Sequence, residues 1–109
     1  MKVCIPMEGT TVSQHFGHTP EFLIVTIEDG KIVSREVYNS PGHEPGLLPK
    51  VMSKFGVTHI IAGGLGHKAR EMFNERNITV ISGVTGEIDD AIQMLIEGTL
   101  VPGKNLCDH

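Results

Sequence analysis

THIIAGGLGHKAREMF, residues 58 to 73, is the stretch whose reading decides the fold. A β-branched run ending at Ala62 leads into Gly63, Gly64 and Gly66, and then Leu65, Ala69, Met72 and Phe73 recur at helical spacing. A short run with apolar residues at successive positions suits a parallel strand buried on both faces. Glycines allow a tight turn and close packing where the chain leaves such a strand for a helix. The stretch therefore reads as strand, turn and helix, one half of a crossover unit.

Downstream, ITVI at 78 to 81 supplies another strand, and Ile88, Ala91, Ile92, Leu95 and Ile96 form the stripe of a third helix. Thr85 is placed to cap that helix and Gly98 to close it. Upstream, Leu47, Leu48, Val51, Met52 and Phe55 repeat at helical spacing up to Gly56. Before them NSPGHEPG at 39 to 46 is turn chemistry, and EFLIVTIE and KIVSREVY flank Asp29-Gly30. A two-residue type I′ hairpin needs positive φ, which Asp-Gly tolerates. KVCIP at 2 to 6 reads as the first strand, ended by Pro6, with a loop over MEGTTVSQ. The order βββαβαβα predicts a single three-layer α/β domain over residues 1–98, with a mixed sheet of about five strands. Residues 99–109 form a tail without apolar periodicity.

If the first strand pairs with the hairpin on one side and with THIIA on the other, four strands point the same way. Their C-terminal ends then share one edge of the sheet, at a reversal of strand order where open α/β sheets favour ligands. That edge gathers the loop of His15 and His18, the loop of His43 and the turn Gly63 to Gly66.

Composition narrows the function classes. The 109 residues are 39% hydrophobic and carry a net charge of −4, with one tyrosine, four phenylalanines and no tryptophan. A nucleic-acid binder usually shows a basic stripe with stacking aromatics, so that class is excluded as an expectation. No run approaches the roughly 20 apolar residues of a membrane span, and no signal pattern opens the chain, which predicts a cytoplasmic protein. Cys4 and Cys107 lie near opposite ends. With no export signal, a structural disulfide is not expected. Cys4, between Val3 and Ile5, reads as a buried small hydrophobe.

His15-Phe-Gly-His18 has a spacing that ligates a soft or borderline metal, and equally one that an exposed polar loop carries. Phe16 and Phe22 read as plugs that anchor this loop. Cys107-x-His109 offers a thiolate and an imidazole to one metal, or is a frayed terminus. An eleven-residue tail at about 3.3 Å per residue spans roughly 35 Å, enough to cross the sheet. GGLGHKA either binds an anion through backbone N–H groups at a helix start, with Lys68 or Arg70 nearby, or is only a turn that needs glycine. His43 and His59 read first as structural, with only His43 placed toward the loop edge. No nucleophile has an orienting carboxylate, and Glu8 and Glu44 are the sole candidates for a general base beside a metal.

Taken together, MKVCIP, S-x-HFG-x-x-x-x-F at Ser13 to Phe22, GHEPGLLP at 42 to 49, IIAGGLGHKA at 60 to 69 and GKNLCDH at the end resemble the dinitrogenase iron-molybdenum cofactor biosynthesis family. That family includes NifX and the C-terminal part of NifB, and this chain is similar to its small stand-alone members. The resemblance implies a ribonuclease H-like fold and a non-enzymatic carrier or scaffold for a metal-sulfur cluster, iron-sulfur or molybdenum-containing. It places His15, His18, Cys107 and His109 as metal ligands. Phe16, Gly17, His43, Gly63, Gly64, Gly66 and His67 become cofactor-binding residues, and cluster-assembly proteins such as P-loop ATPases become partners. With two cysteines the chain lacks a Cys₄ site, so a pre-assembled cluster is held through few protein bonds. The rival expectation is a small-anion-sensing or protein-interaction module on the same fold.

Overall fold

The computed structural model describes residues 1–14, 16, 19–40 and 47–100. His15, Gly17, His18, His43, Cys107 and His109 lie outside them. In chain order the elements are β1 (Lys2–Glu8), β2 (Thr11–Val12), β3 (Glu21–Glu28), β4 (Lys31–Asn39), α1 (Leu47–Lys54), β5 (His59–Ile61), α2 (His67–Glu75), β6 (Thr79–Ile81) and α3 (Ile88–Glu97).

The sheet runs β4-β3-β1-β5-β6, with β2 added beside β1. β1 pairs antiparallel with β3 and parallel with β5, and β5 pairs parallel with β6. The hairpin between β3 and β4 turns at Asp29 and Gly30, with φ of 53° and 74°, the double positive φ of a type I′ turn. β1, β4, β5 and β6 thus run in one direction, and their C-terminal ends share an edge, as the strand order predicts.

Alternation along the central strands builds two cores. Val3, Ile5, Leu23, Val25, Ile27 and Ile61 face Ile88, Ala91 and Ile92 of α3. Cys4, Phe22, Ile24 and Ile60 face Leu48 and Met52 of α1 and Phe73 of α2. One helix on one face and two on the other make three layers of a mixed α/β sandwich. Pro49 is tolerated in α1 because it stands in the first turn, where its missing N–H has no intrahelical role. Among the described residues no helix is long and apolar enough to cross a membrane.

Three local expectations change. Pro6 does not end the first strand but sits inside β1 opposite Phe22. Its carbonyl accepts the Ser13 N–H at 2.9 Å, so its missing N–H also faces away from β3, beyond the β5 ladder that covers only Val3 and Cys4. The segment expected to be loop holds β2, which pairs Met7 with Val12 and Glu8 with Thr11 around Gly9 at φ 61°. Thr85 does not cap α3: the N-cap is Glu87, without a side-chain cap bond, and the Ile88 N–H goes to the Thr10 carbonyl at 2.9 Å. Pairing between residues 10–12 and 86–88 delays the helix start past Thr85.

Candidate functional site

The glycine turn after β5 lies against the segment that leads into the histidine loop. The Gly63 N–H donates to the Ser13 carbonyl at 3.0 Å, and the Gly63 carbonyl accepts the Gly83 N–H at 2.8 Å. Gln14 Nε2 donates to the carbonyls of Val12 and Val84, each at 3.2 Å. Three chain segments, 12–14, 62–64 and 82–84, are thereby tied together at the C-terminal edge of the sheet. Farther along that edge, Arg70 donates to Ser82 Oγ at 2.6 Å, joining α2 to the segment after β6.

Phe16 is half-buried and meets Phe73 edge to face, with ring centroids 5.6 Å apart and planes at 76°. This contact fastens Phe16 to the α1 and α2 side of the sheet. Phe22, 1% exposed, is part of the core beneath it. The Ser13 hydroxyl donates to Glu8 Oε1 at 3.3 Å, so that carboxylate stands at the same edge.

Gly66 is the N-cap of α2 and makes no side-chain cap bond, and the position of its absent Cβ is open space. An uncapped helix start with open surroundings favours an anionic group electrostatically. His67, the first residue of α2, projects into solvent and pairs through Nε2 with Glu71 Oε1 at 2.8 Å, one helical turn on. Such an exposed pair contributes little to stability.

Cys4 is fully buried in the α1 and α2 core, and burial pushes its thiol pKa up, so it stays a protonated hydrophobe. His59 opens β5 at the opposite edge of the sheet, with Nδ1 2.7 Å from Thr58 Oγ1. Among the described residues no three of His, Cys, Asp and Glu gather as a metal site. A cavity of about 200 Å³ opens on the α3 face, lined by Met7, Leu23, Val37, Ile88, Arg35 and Asp89, none of them among the sequence-derived candidates.

Gln14 and Ser82 escape the sequence reading as site-forming residues, whereas Arg70, expected beside the glycine turn, is bonded to Ser82. Gln14 carries no motif of its own; its only signal is a glycine pair that needs space for a neighbour, and that neighbour is visible only in three dimensions.

The fold is a three-layer α/β domain with the C-terminal ends of its parallel strands at one edge, the place where open α/β sheets favour ligands. The chain belongs to the dinitrogenase iron-molybdenum cofactor family, whose model matches residues 1–98. An uncharacterized protein of Methanocaldococcus jannaschii is 32% identical over 105 residues, covering 92% of this chain and 89% of that one. The crystal structure of PH0822 superposes with a TM-score of 0.90 at 36% identity, covering 96% of each chain. That of a proposed dinitrogenase of M. jannaschii gives 0.76 at 29% identity, covering 92% of this chain and 91% of that one. Members of the family are non-catalytic carriers and scaffolds, and this chain is non-enzymatic with them. Membership supports a role in cofactor biosynthesis, in the company of cofactor precursors or assembly machinery.

Proposed function

We propose that the protein is a cytoplasmic carrier for a pre-assembled metal-sulfur cluster, iron-sulfur or molybdenum-containing, received from and passed to assembly proteins such as P-loop ATPases. The observation that carries this reading is the seating of Gln14 and Phe16, which flank His15, on the Gly63–Gly64 turn and on Phe73. It holds the residues on either side of His15 against the glycine turn that leads into α2 and against a side chain of α2 itself. The donor set suits such cargo. Imidazoles of His15 and His18, with Cys107 and His109, offer exchangeable bonds to soft or borderline metals, and an anionic sulfide cluster is favoured beside the positive end of α2. Few protein ligands make release easy, which a carrier requires. Phe16, Gly17, His43, Gly63, Gly64, Gly66 and His67 complete the cradle in this reading, which also takes the fold as ribonuclease H-like.

A second reading, a small-anion sensor or interaction module, is favoured by the open helix start at Gly66. One experiment separates the two. The protein is purified anaerobically without a metal-affinity tag and assayed for Fe, Mo, Cu, Zn and sulfide, with its visible spectrum recorded. Bound metal with stoichiometric sulfide, lost in a folded His15→Ala, His18→Ala, Cys107→Ala triple variant, is the expected result. A colourless protein that also refuses a supplied cluster, or a triple variant of unchanged affinity, rejects the carrier and leaves the anion reading.

A further inference from the structure

Among the described residues, Gly9, Gly30, Gly56, Gly83, Gly86 and Gly98 hold positive φ, where glycine is favoured for conformational reasons. Gly63 and Gly64 are not among them. Their need for glycine is spatial. A Cβ on Gly63 would overlap the carboxamide of Gln14, and one on Gly64 would stand 2.5 Å from the Gln14 backbone oxygen. The two glycines form a ledge, and Gln14 fills it with side chain over the first and backbone over the second. The side chain is held there from two directions by the Val12 and Val84 carbonyls, while its outer side meets solvent.

We propose that Gln14 is the positioning residue of the histidine loop. Seated on the Gly63–Gly64 ledge and bonded to Val84, it sets where the chain enters His15 and so the approach of the loop's imidazoles to a metal. This rests on the carrier reading for what the loop binds, but not for the seat itself. The glycine pair is then a receptor for a neighbouring side chain as well as a turn. The two obstacles differ in kind. An alanine at 63 meets the far end of a flexible side chain, which swings away at the loss of its two hydrogen bonds. An alanine at 64 meets backbone, so the chain next to His15 itself must move.

The test uses the full chain and four variants: Gln14→Ala, Gly63→Ala, Gly64→Ala and the double Gln14→Ala, Gly63→Ala. Each is titrated anaerobically with Co(II) while the ligand-field absorption is followed, and melted thermally to verify folding. Gln14→Ala and Gly63→Ala are each expected to weaken Co(II) about tenfold and alter the band, as loss of a group that orients a ligand does. The double variant should bind no more weakly than Gln14→Ala alone, because the alanine then has nothing to displace. Gly64→Ala should cost at least as much as Gly63→Ala. Additive losses in the double variant, or folded single variants with wild-type affinity and spectrum, overturn the proposal. If wild type takes up no Co(II), the carrier reading is left to the supplied-cluster assay and the seat is judged by NMR. Amide shifts of residues 15 to 18 that move in Gly63→Ala, but not when Gly63→Ala is added to Gln14→Ala, uphold it, and shifts unmoved by Gly63→Ala alone sink it.

Discussion

His59 shows how one side chain couples to its surroundings without belonging to the site. Burial lowers its pKa below the usual value, and the positive N-terminus lowers it further. The folded protein therefore resists protonation more than the unfolded chain does. As pH falls from about 6.5, the unfolded value, through the lowered folded value, the unfolded chain binds more protons and stability declines. Urea melts between pH 8 and 5 should show this loss, and His59→Gln should flatten it. An identical slope in the variant would remove His59 as the cause. At the same scale, Phe73 is fully buried and supports Phe16. Phe73→Ala is expected to cost about 3–5 kcal/mol in urea unfolding, from lost burial and the cavity left behind. Phe16→Leu keeps most of the burial and loses the edge-to-face geometry, for about 1 kcal/mol.

At the scale of elements, the glycine ends of α1 and α3 are legible in the sequence, while the start of α3 is not. Gly56 and Gly98 hold φ of 78° and 75°, and Gly98 returns its N–H to the Leu95 and Met94 carbonyls. A left-handed C-cap is a local matter, so a glycine at the end of an apolar stripe announces it. Gly98→Ala should lower stability by about 1 kcal/mol, the cost of left-handed backbone for an L-residue, and a melting temperature equal to wild type would contradict it. The start of α3 was misread at Thr85 because its first N–H is satisfied by Thr10, distant in sequence. The two-residue β2 offered no periodicity to detect, and Pro6 resembled a strand terminator because nothing local reveals which way its nitrogen faces.

For the molecule as a whole, the sheet order predicts unequal resistance to opening. β1 lies between β3 and β5, and Val3, Cys4 and Ile5 are wholly buried. β4 is an edge strand in which Val33 and Val37 are 55% and 53% exposed. Hydrogen exchange should leave β1 amides protected up to global unfolding, while the outward-facing amides of β4 exchange through small local openings. Equal protection of both strands would refute this. A rigid centre with its loops gathered at one edge also suits the proposed carrier, since strands and helices hold their ends while cargo comes and goes.

The sequence alone determined what short-range chemistry controls. Alternation and helical spacing set the long strands and three helices, Asp29-Gly30 set the hairpin, and the crossover pattern around residues 58 to 73 set the strand order and the loop-bearing edge. The histidine, glycine and tail motifs were enough to indicate the family. Tertiary structure decided what depends on partners far apart in the chain: the path of β1 through Pro6, β2, the delayed start of α3, and the seat of Gln14 on Gly63 and Gly64. No sequence pattern announces such contacts. A glycine chosen for space and one chosen for its φ are the same letter, and only the packed neighbour tells them apart.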